Sequence, residues 1–300
     1  MAMNRALFAK QLEPGLNTLF GLEHARYPEQ WKEIFDQNSS SKAFEEDNLL
    51  EGFGAASVKA EGSAVAYDTA AELWTARYNH ETIALAFSIT EEAEEDGQYG
   101  SIGQRYVKAL ARSMVHTKEI KGANILNNMF TSGTGGDGQY LGVTTHPTAS
   151  GNQSNILATA ADLSETSLEQ VLIDISNMDD DRGIPIAAMG TKLIVPTALA
   201  FVAERLTKSQ LRPGTADNDI NASRSGGYLP QGYTVNNRLN DTDAWFVKTD
   251  VPDGMKMFQR RALSRGMEGD FETGNIRYKT SERYSFGWTD WRGIFGTPGA

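Results

Sequence analysis

Residues 101–130 read Ser-Ile-Gly-Gln-Arg-Tyr-Val-Lys-Ala-Leu-Ala-Arg-Ser-Met-Val-His-Thr-Lys-Glu-Ile-Lys-Gly-Ala-Asn-Ile-Leu-Asn-Asn-Met-Phe, thirty residues without a proline. Ile102, Tyr106, Leu110 and Met114 recur at every fourth position, and Thr117, Ile120 and Asn124 continue the stripe. The spacing predicts a single helix of about 45 Å, longer than most compact domains need. Glu91, Glu92, Glu94, Glu95 and Asp96 precede it, placing negative charge near the helix N-terminus, where the macrodipole favours it. Ser-Gly-Thr-Gly-Gly-Asp-Gly follows at 132–138, a run that ends helices.

On the N-terminal side of this helix, Ile83, Leu85, Phe87 and Ile89 alternate with Ala84, Ala86 and Ser88, which predicts a half-buried strand. Residues 51–81 are strand-like but thin in large apolar side chains, with Gly62 and Asp68 as bends. A two-stranded ribbon of this composition cannot bury enough surface to stand alone. It is expected to project and be covered by another copy of the chain, through Phe53, Val58, Lys59, Val65, Tyr67, Trp74 and Tyr78. Residues 1–48 hold two apolar stripes, Leu12-Leu16-Leu19 and Trp31-Ile34-Phe35, cut into short pieces by Pro14, Gly15, Gly21 and Pro28. They read as an arm lying on the body or on a neighbour, with Trp31 and Phe35 as further contact candidates.

On the C-terminal side, a short strand is expected at 140–143, a polar loop at 146–163, and a helix at 166–178 capped by Ser164 or Thr166. A buried strand at 192–195, a helix at 197–208 and a long Gly/Asn/Asp/Ser-rich loop at 209–232 come next. Strands follow at 233–237, 244–249, 276–280 and 284–288.

Composition narrows the function classes. Three hundred residues can bury a large core, and no apolar run approaches the length of a membrane span. The absence of cysteine removes disulfides and thiolate metal sites and fits synthesis in a reducing cytoplasm. A net charge of −11 argues against nucleic-acid binding by the surface as a whole. The long helix is the exception, with Arg105, Lys108, Arg112, Lys118 and Lys121 against Glu119 alone.

No catalytic constellation emerges. Gly-x-Ser-x-Gly, a phosphate loop ending in Gly-Lys-Ser/Thr, and His-Glu-x-x-His are all missing, with Ala84 standing where the second histidine after His80-Glu81 would fall. His24, His80, His116 and His146 are far apart and read as structural. The glycines of 133–138 come after a helix rather than before one, so they read as a terminator and not a phosphate cradle. Asp179, Asp180 and Asp181 could offer oxygen ligands to a metal, which keeps a metal-dependent hydrolase as an outside reading. Their spacing favours a solvated acidic turn.

The order of these elements resembles the major capsid proteins of tailed bacteriophages with the Hong Kong 97-type fold. The resemblance spans the arm, the ribbon, the long helix, the exit Gly-Thr-Gly-Gly-Asp-Gly-Gln-Tyr-Leu-Gly-Val at 133–143, Lys-Leu-Ile-Val-Pro-Thr-Ala-Leu-Ala-Phe at 192–201, and the close Arg-Tyr-Ser-Phe-Gly-Trp-Thr-Asp-Trp-Arg-Gly at 283–293. It implies an α+β fold with an N-terminal arm (1–48), an extended loop (49–90), a peripheral domain with a spine helix (91–185), an axial domain (186–255) and peripheral C-terminal strands (256–300). It also implies hexamers and pentamers in an icosahedral virion shell around non-specifically held double-stranded DNA. The basic helix face would meet the phosphates. Portal, scaffold or decoration proteins would be further partners, with no cofactor, membrane or enzymatic activity. An encapsulin-type compartment shell shares the fold and is the alternative. Only about 48 residues precede the ribbon, so any scaffold is expected to be a separate protein, or the sequence to be already mature. A cross-link between Lys59 and a neighbour's Asn275 is not expected, because no buried carboxylate base can be placed beside it.

Overall fold

The computed structural model describes residues 6–90, 92, 99–212, 219–270 and 273–300. Apart from Glu92, the acidic run at 91–96 lies outside the described residues, as do positions 213–218 of the long loop.

Helix α1, Ala6–Arg26, runs unbroken through Pro14 and Gly15. This corrects the expectation of short pieces. Leu16 and Phe20 bury against Val107, Leu110 and Ala111 of the spine helix α2, Tyr99–Asn127, and against Ile89, Ile276 and Tyr278. Packing therefore supplies the stability that the sequence of α1 lacks by itself. A 3-10 turn at Gln30–Glu33 leads to β1, Asp36–Ser39.

The first sheet has the order β1-β10-β11-β4, with β4 at Glu81–Ile89, β10 at Met255–Gly269 and β11 at Ile276–Trp288. β1 joins β10 in parallel, Asp36 opposite Lys256. β4 pairs antiparallel with β11, Ile89 opposite Ile276. Helix α2 lies against β4 and β11. Two expectations are corrected. The strand at 83–89 belongs to this sheet and not to the ribbon, and the tail is one continuous strand rather than two.

The second sheet has the order β12-β9-β7-β8, from Gly190–Val195 (β7), Tyr233–Val235 (β8), Trp245–Thr249 (β9) and Ile294–Thr297 (β12). It packs with α3, Glu165–Ser176, whose Ser164 cap and buried Leu168, Val171, Leu172 and Ile175 match the expected face. A 3-10 turn at Thr197–Leu199 precedes α4, Ala200–Lys208, and the long loop carries a short α5, Ala222–Ser225. Between them, β5 (His146–Thr148) and β6 (Gly151–Gln153) form a small hairpin. Residues 140–143 form no strand.

The main core joins this second layer to the end of α2 and to the arm: Trp31, Ile34 and Phe35 pack with Leu126, Met129, Tyr284, Trp288, Trp291 and Phe295. On α2 the buried face is Val107, Leu110, Ala111, Met114 and Val115, while Tyr106 is half exposed over Phe87. The helix meets both α1 and the sheet, so its buried face is wider than the single expected stripe and is rotated away from Tyr106.

Candidate functional site

Strand β2, Phe44–Leu50, pairs antiparallel with β3, Glu72–Asn79, to make the stalk of the ribbon. Beyond it the chain makes no regular strand between residues 51 and 71, and every residue from 55 to 71 is exposed. Val58 and Tyr67 stand almost wholly in solvent, at 99% and 98%. Phe53, Val65 and Lys59 are exposed with them. The other contact candidates are placed differently. Trp31 and Phe35 sit in the core, edge-on to Phe286 at 5.7 and 4.9 Å. Tyr78 is buried with its hydroxyl 2.6 Å from Thr289 Oγ1, and Trp74 packs half-buried on the core. These four side chains pack inside their own chain, whereas Phe53, Val58, Lys59, Val65 and Tyr67 of the outer loop stay exposed.

That loop is long but fixed at its root. Arg182 Nη1 donates to both oxygens of Asp68, at 3.1 and 2.9 Å, and Arg182 Nη2 donates to the Thr69 carbonyl. Its Nε lies 3.1 Å from Glu51, so one guanidinium holds both legs. Asp68 Oδ2 also accepts the Gly54 N–H at 2.7 Å. The Gly54 and Thr69 N–H groups, with Arg182, hold the Asp68 carboxyl below the usual carboxylate range. The glycine-rich exit is packed beneath the stalk. A Cβ on Gly135 would lie 1.9 Å from the Trp288 ring, and one on Gly136 would lie 2.8 Å from the Thr75 carbonyl. The sequence reading gave these glycines the task of ending a helix. In the fold, α2 has already stopped at Asn127, and Gly135 and Gly136 permit close approach.

The five basic candidates on α2 divide. Lys118 is buried, 3.1 Å from Glu282 of β11, with its ammonium 5.0 Å from the ring centres of both Trp31 and Tyr284. Burial raises the Glu282 carboxyl, with Lys118 opposing that shift. Lys121 pairs with Glu81 of β4. Both correct the expectation of a free basic face, because each meets a carboxylate projecting from the sheet beneath. Arg105, Lys108 and Arg112 are exposed, together with His116, at positions that share one helical face. Among the described residues, none of these three cations has an ion-pair partner.

The acidic turn is used internally. Asp180 Oδ1 accepts the Arg182 and Ile184 N–H groups, each at 2.8 Å, and Asp181 pairs with Arg292 at 3.1 Å. Among the described residues no group of three or more His, Asp or Glu side chains is placed to hold a metal ion. No helix among them is long and apolar enough to cross a membrane. His146 is fully buried, 2.6 Å from Asp137 and stacked on Trp291 at 4.3 Å.

A family model for phage capsid proteins matches residues 74–296, from the base of the ribbon through the last strand. The chain belongs to the phage capsid protein family. Solved structures of very low identity share its Hong Kong 97-type α+β fold. A virus-like particle from Pyrococcus furiosus is 10% identical with a TM-score of 0.58, covering 95% of this chain and 98% of its own. The capsid of Cyanophage P-SCSP1u is 10% identical at 0.57, covering 89% and 86%. A structure from Mycobacterium phage Che8 is 14% identical at 0.53, covering 89% of each chain. No curated protein matches the sequence. Within this family the chain is a capsid shell protein.

Proposed function

We propose that this chain is a structural, non-enzymatic subunit that assembles with copies of itself, as hexamers and pentamers, into an icosahedral phage head around double-stranded DNA. The observation that carries the reading is the outer loop: Phe53, Val58, Val65 and Tyr67 lie bare on a segment whose root is clamped in place. Apolar groups held out in water on a fixed stem are stabilised by a surface that the same molecule does not provide. A neighbouring copy supplies that surface in this reading. On this reading the N-terminal arm leads into an extended loop at 44–79, the peripheral domain is 80–185 with 256–300, and the axial domain is 186–255, with the 209–232 loop toward the capsomer axis. Arg105, Lys108 and Arg112 face inward and meet DNA phosphates as non-specific charge. Portal, scaffold and decoration proteins are further partners on this view.

Electron microscopy of the purified chain tests the assembly. Closed particles are expected, and a monomer at high concentration with residues 51–71 protected by its own body overturns the reading. Val58→Asp with Tyr67→Asp is expected to abolish particles while leaving far-UV circular dichroism unchanged. For the interior face, Lys108→Glu with Arg112→Glu is expected to lower nuclease-protected DNA in shells that still close. Unchanged DNA content in closed shells removes the inward-facing role. The family match supports a phage head over a cargo compartment, and enclosed enzyme in place of DNA would reverse that choice.

A further inference from the structure

The arm enters the body through the 3-10 turn at Gln30–Glu33, and its own N-cap residue, Glu29, makes no side-chain capping bond. The cap comes from another element. Glu119, on the spine helix, accepts the Trp31 N–H through Oε2 at 3.1 Å, and the Gln30 N–H is directed at the same carboxyl. Glu119 is only 4% exposed, and its Oε1 is buried without a hydrogen-bond partner. It lines a groove of about 510 Å³ roofed by Tyr27 and Pro28 of the arm and walled by Arg112, His116 and Arg238. Arg238 Nε is likewise buried and unpartnered. The arm's amide donation favours the charged form of this carboxyl, but its burial, with Oε1 left unpartnered, costs an ionised group more.

We infer that Glu119 is a proton-dependent latch for the N-terminal arm, seating residues 27–35 against the spine helix when neutral and loosening them when ionised. The neutral acid still accepts through its carbonyl oxygen, so the cap survives protonation, while the unpaired buried charge does not have to form. Burial pushes the Glu119 carboxyl up to about 7. The groups facing it are few. The Trp31 and Gln30 amides of the arm oppose this most, Glu29 of the arm raises it further, and Arg238 of the loop after β8 opposes it more weakly. Lys118, beside it on α2, is engaged by Glu282 of β11, and Lys32 of the arm by Glu29. His116 and Arg112 stand on the groove wall one and two turns back along α2.

The sign follows from linkage. When the arm lifts, water reaches the carboxyl and it returns to its ordinary range near 4.5. The seated state therefore binds more protons, its advantage is complete below the ordinary value, and it is lost as pH rises through about 7. Between pH 6 and pH 8 lifting is favoured by about tenfold.

Hydrogen-exchange mass spectrometry of the full chain, with rates corrected for the pH dependence of chemical exchange, reads this directly on peptides covering residues 27–35. Wild type is expected to open about tenfold more at pH 8 than at pH 6. Glu119→Gln keeps an acceptor for both amides and cannot ionise, and its opening is expected to change by less than about twofold. A flat wild-type profile, or a Glu119→Gln profile as steep as wild type, overturns the latch. His116 lines the same groove and His24 lies on the neighbouring helix α1, so a His24→Asn, His116→Asn chain is measured in parallel. Persistence of the tenfold change supports Glu119 as its source even where Glu119→Gln fails to fold, and loss of the change overturns it.

Discussion

Asn155 is completely buried, and all of its polar capacity is spent on backbone. Its amide donates to the carbonyls of Leu141, Trp291 and Ile294 at 2.7, 3.2 and 3.1 Å, and its oxygen accepts the Val143 N–H at 3.2 Å. One side chain thus ties the glycine-rich exit to the last strand. Asn155→Leu is expected to destabilise the fold by about 3–5 kcal/mol, read as a lower urea midpoint, because several buried groups lose their partners at once. Lys118 and Glu282 make a sharper test. Glu282→Ala leaves a buried ammonium between two aromatic rings and is expected to cost about 3–5 kcal/mol. Lys118→Met combined with Glu282→Leu is expected to restore most of it, since a well-packed apolar pair can replace a buried ion pair. Neither Asn155 nor the pairing of Lys118 was legible in the sequence. A lone asparagine in a polar loop looks like any turn residue, and a lysine on a basic helix looks solvated until a strand more than 160 positions away lays a glutamate over it.

At the scale of elements, legibility followed periodicity. α3 was readable because its apolar spacing and its buried face coincide, and β7 because it is a short continuous apolar run buried between two strands. β10 was missed altogether. Its fifteen residues include Gln259-Arg260-Arg261 and two register shifts, between Gln259 and Arg261 and between Arg261 and Ser264, which break the alternation a strand should show. α1 was underrated because Pro14 and Gly15 were weighed without the α2 surface that holds them. The outer loop was legible as an exposed projection, but Arg182, which fixes its direction, gave no signal beyond following three aspartates. Arg182→Ala is expected to leave the urea midpoint nearly unchanged, because its Asp68 partner is 45% exposed and such solvated ion pairs contribute little. It is expected to raise hydrogen exchange across residues 51–71 and to slow particle formation, seen as a longer lag in light scattering.

For the whole molecule, the apolar side chains that made the arm look like a docking segment turned out to be half of a core. Trp31, Ile34 and Phe35 sit among residues from the last third of the chain, and β1 lies beside β10, with Gln37 bonded to Gln259 across 222 positions. The difference between an aromatic meant for a neighbour and one meant for the same chain is invisible locally, since both are large, apolar and set in short segments. Phe53, Val58, Val65 and Tyr67, by contrast, stay exposed among the described residues. The far-reaching closure of the core also orders events during synthesis. A ribosome releases Trp31 long before strand β10 exists, so the nascent chain carries its anchor uncovered until residues 255–269 have been made. The outer loop therefore stands on a finished body only after β10 and the strands that follow it have joined their sheets.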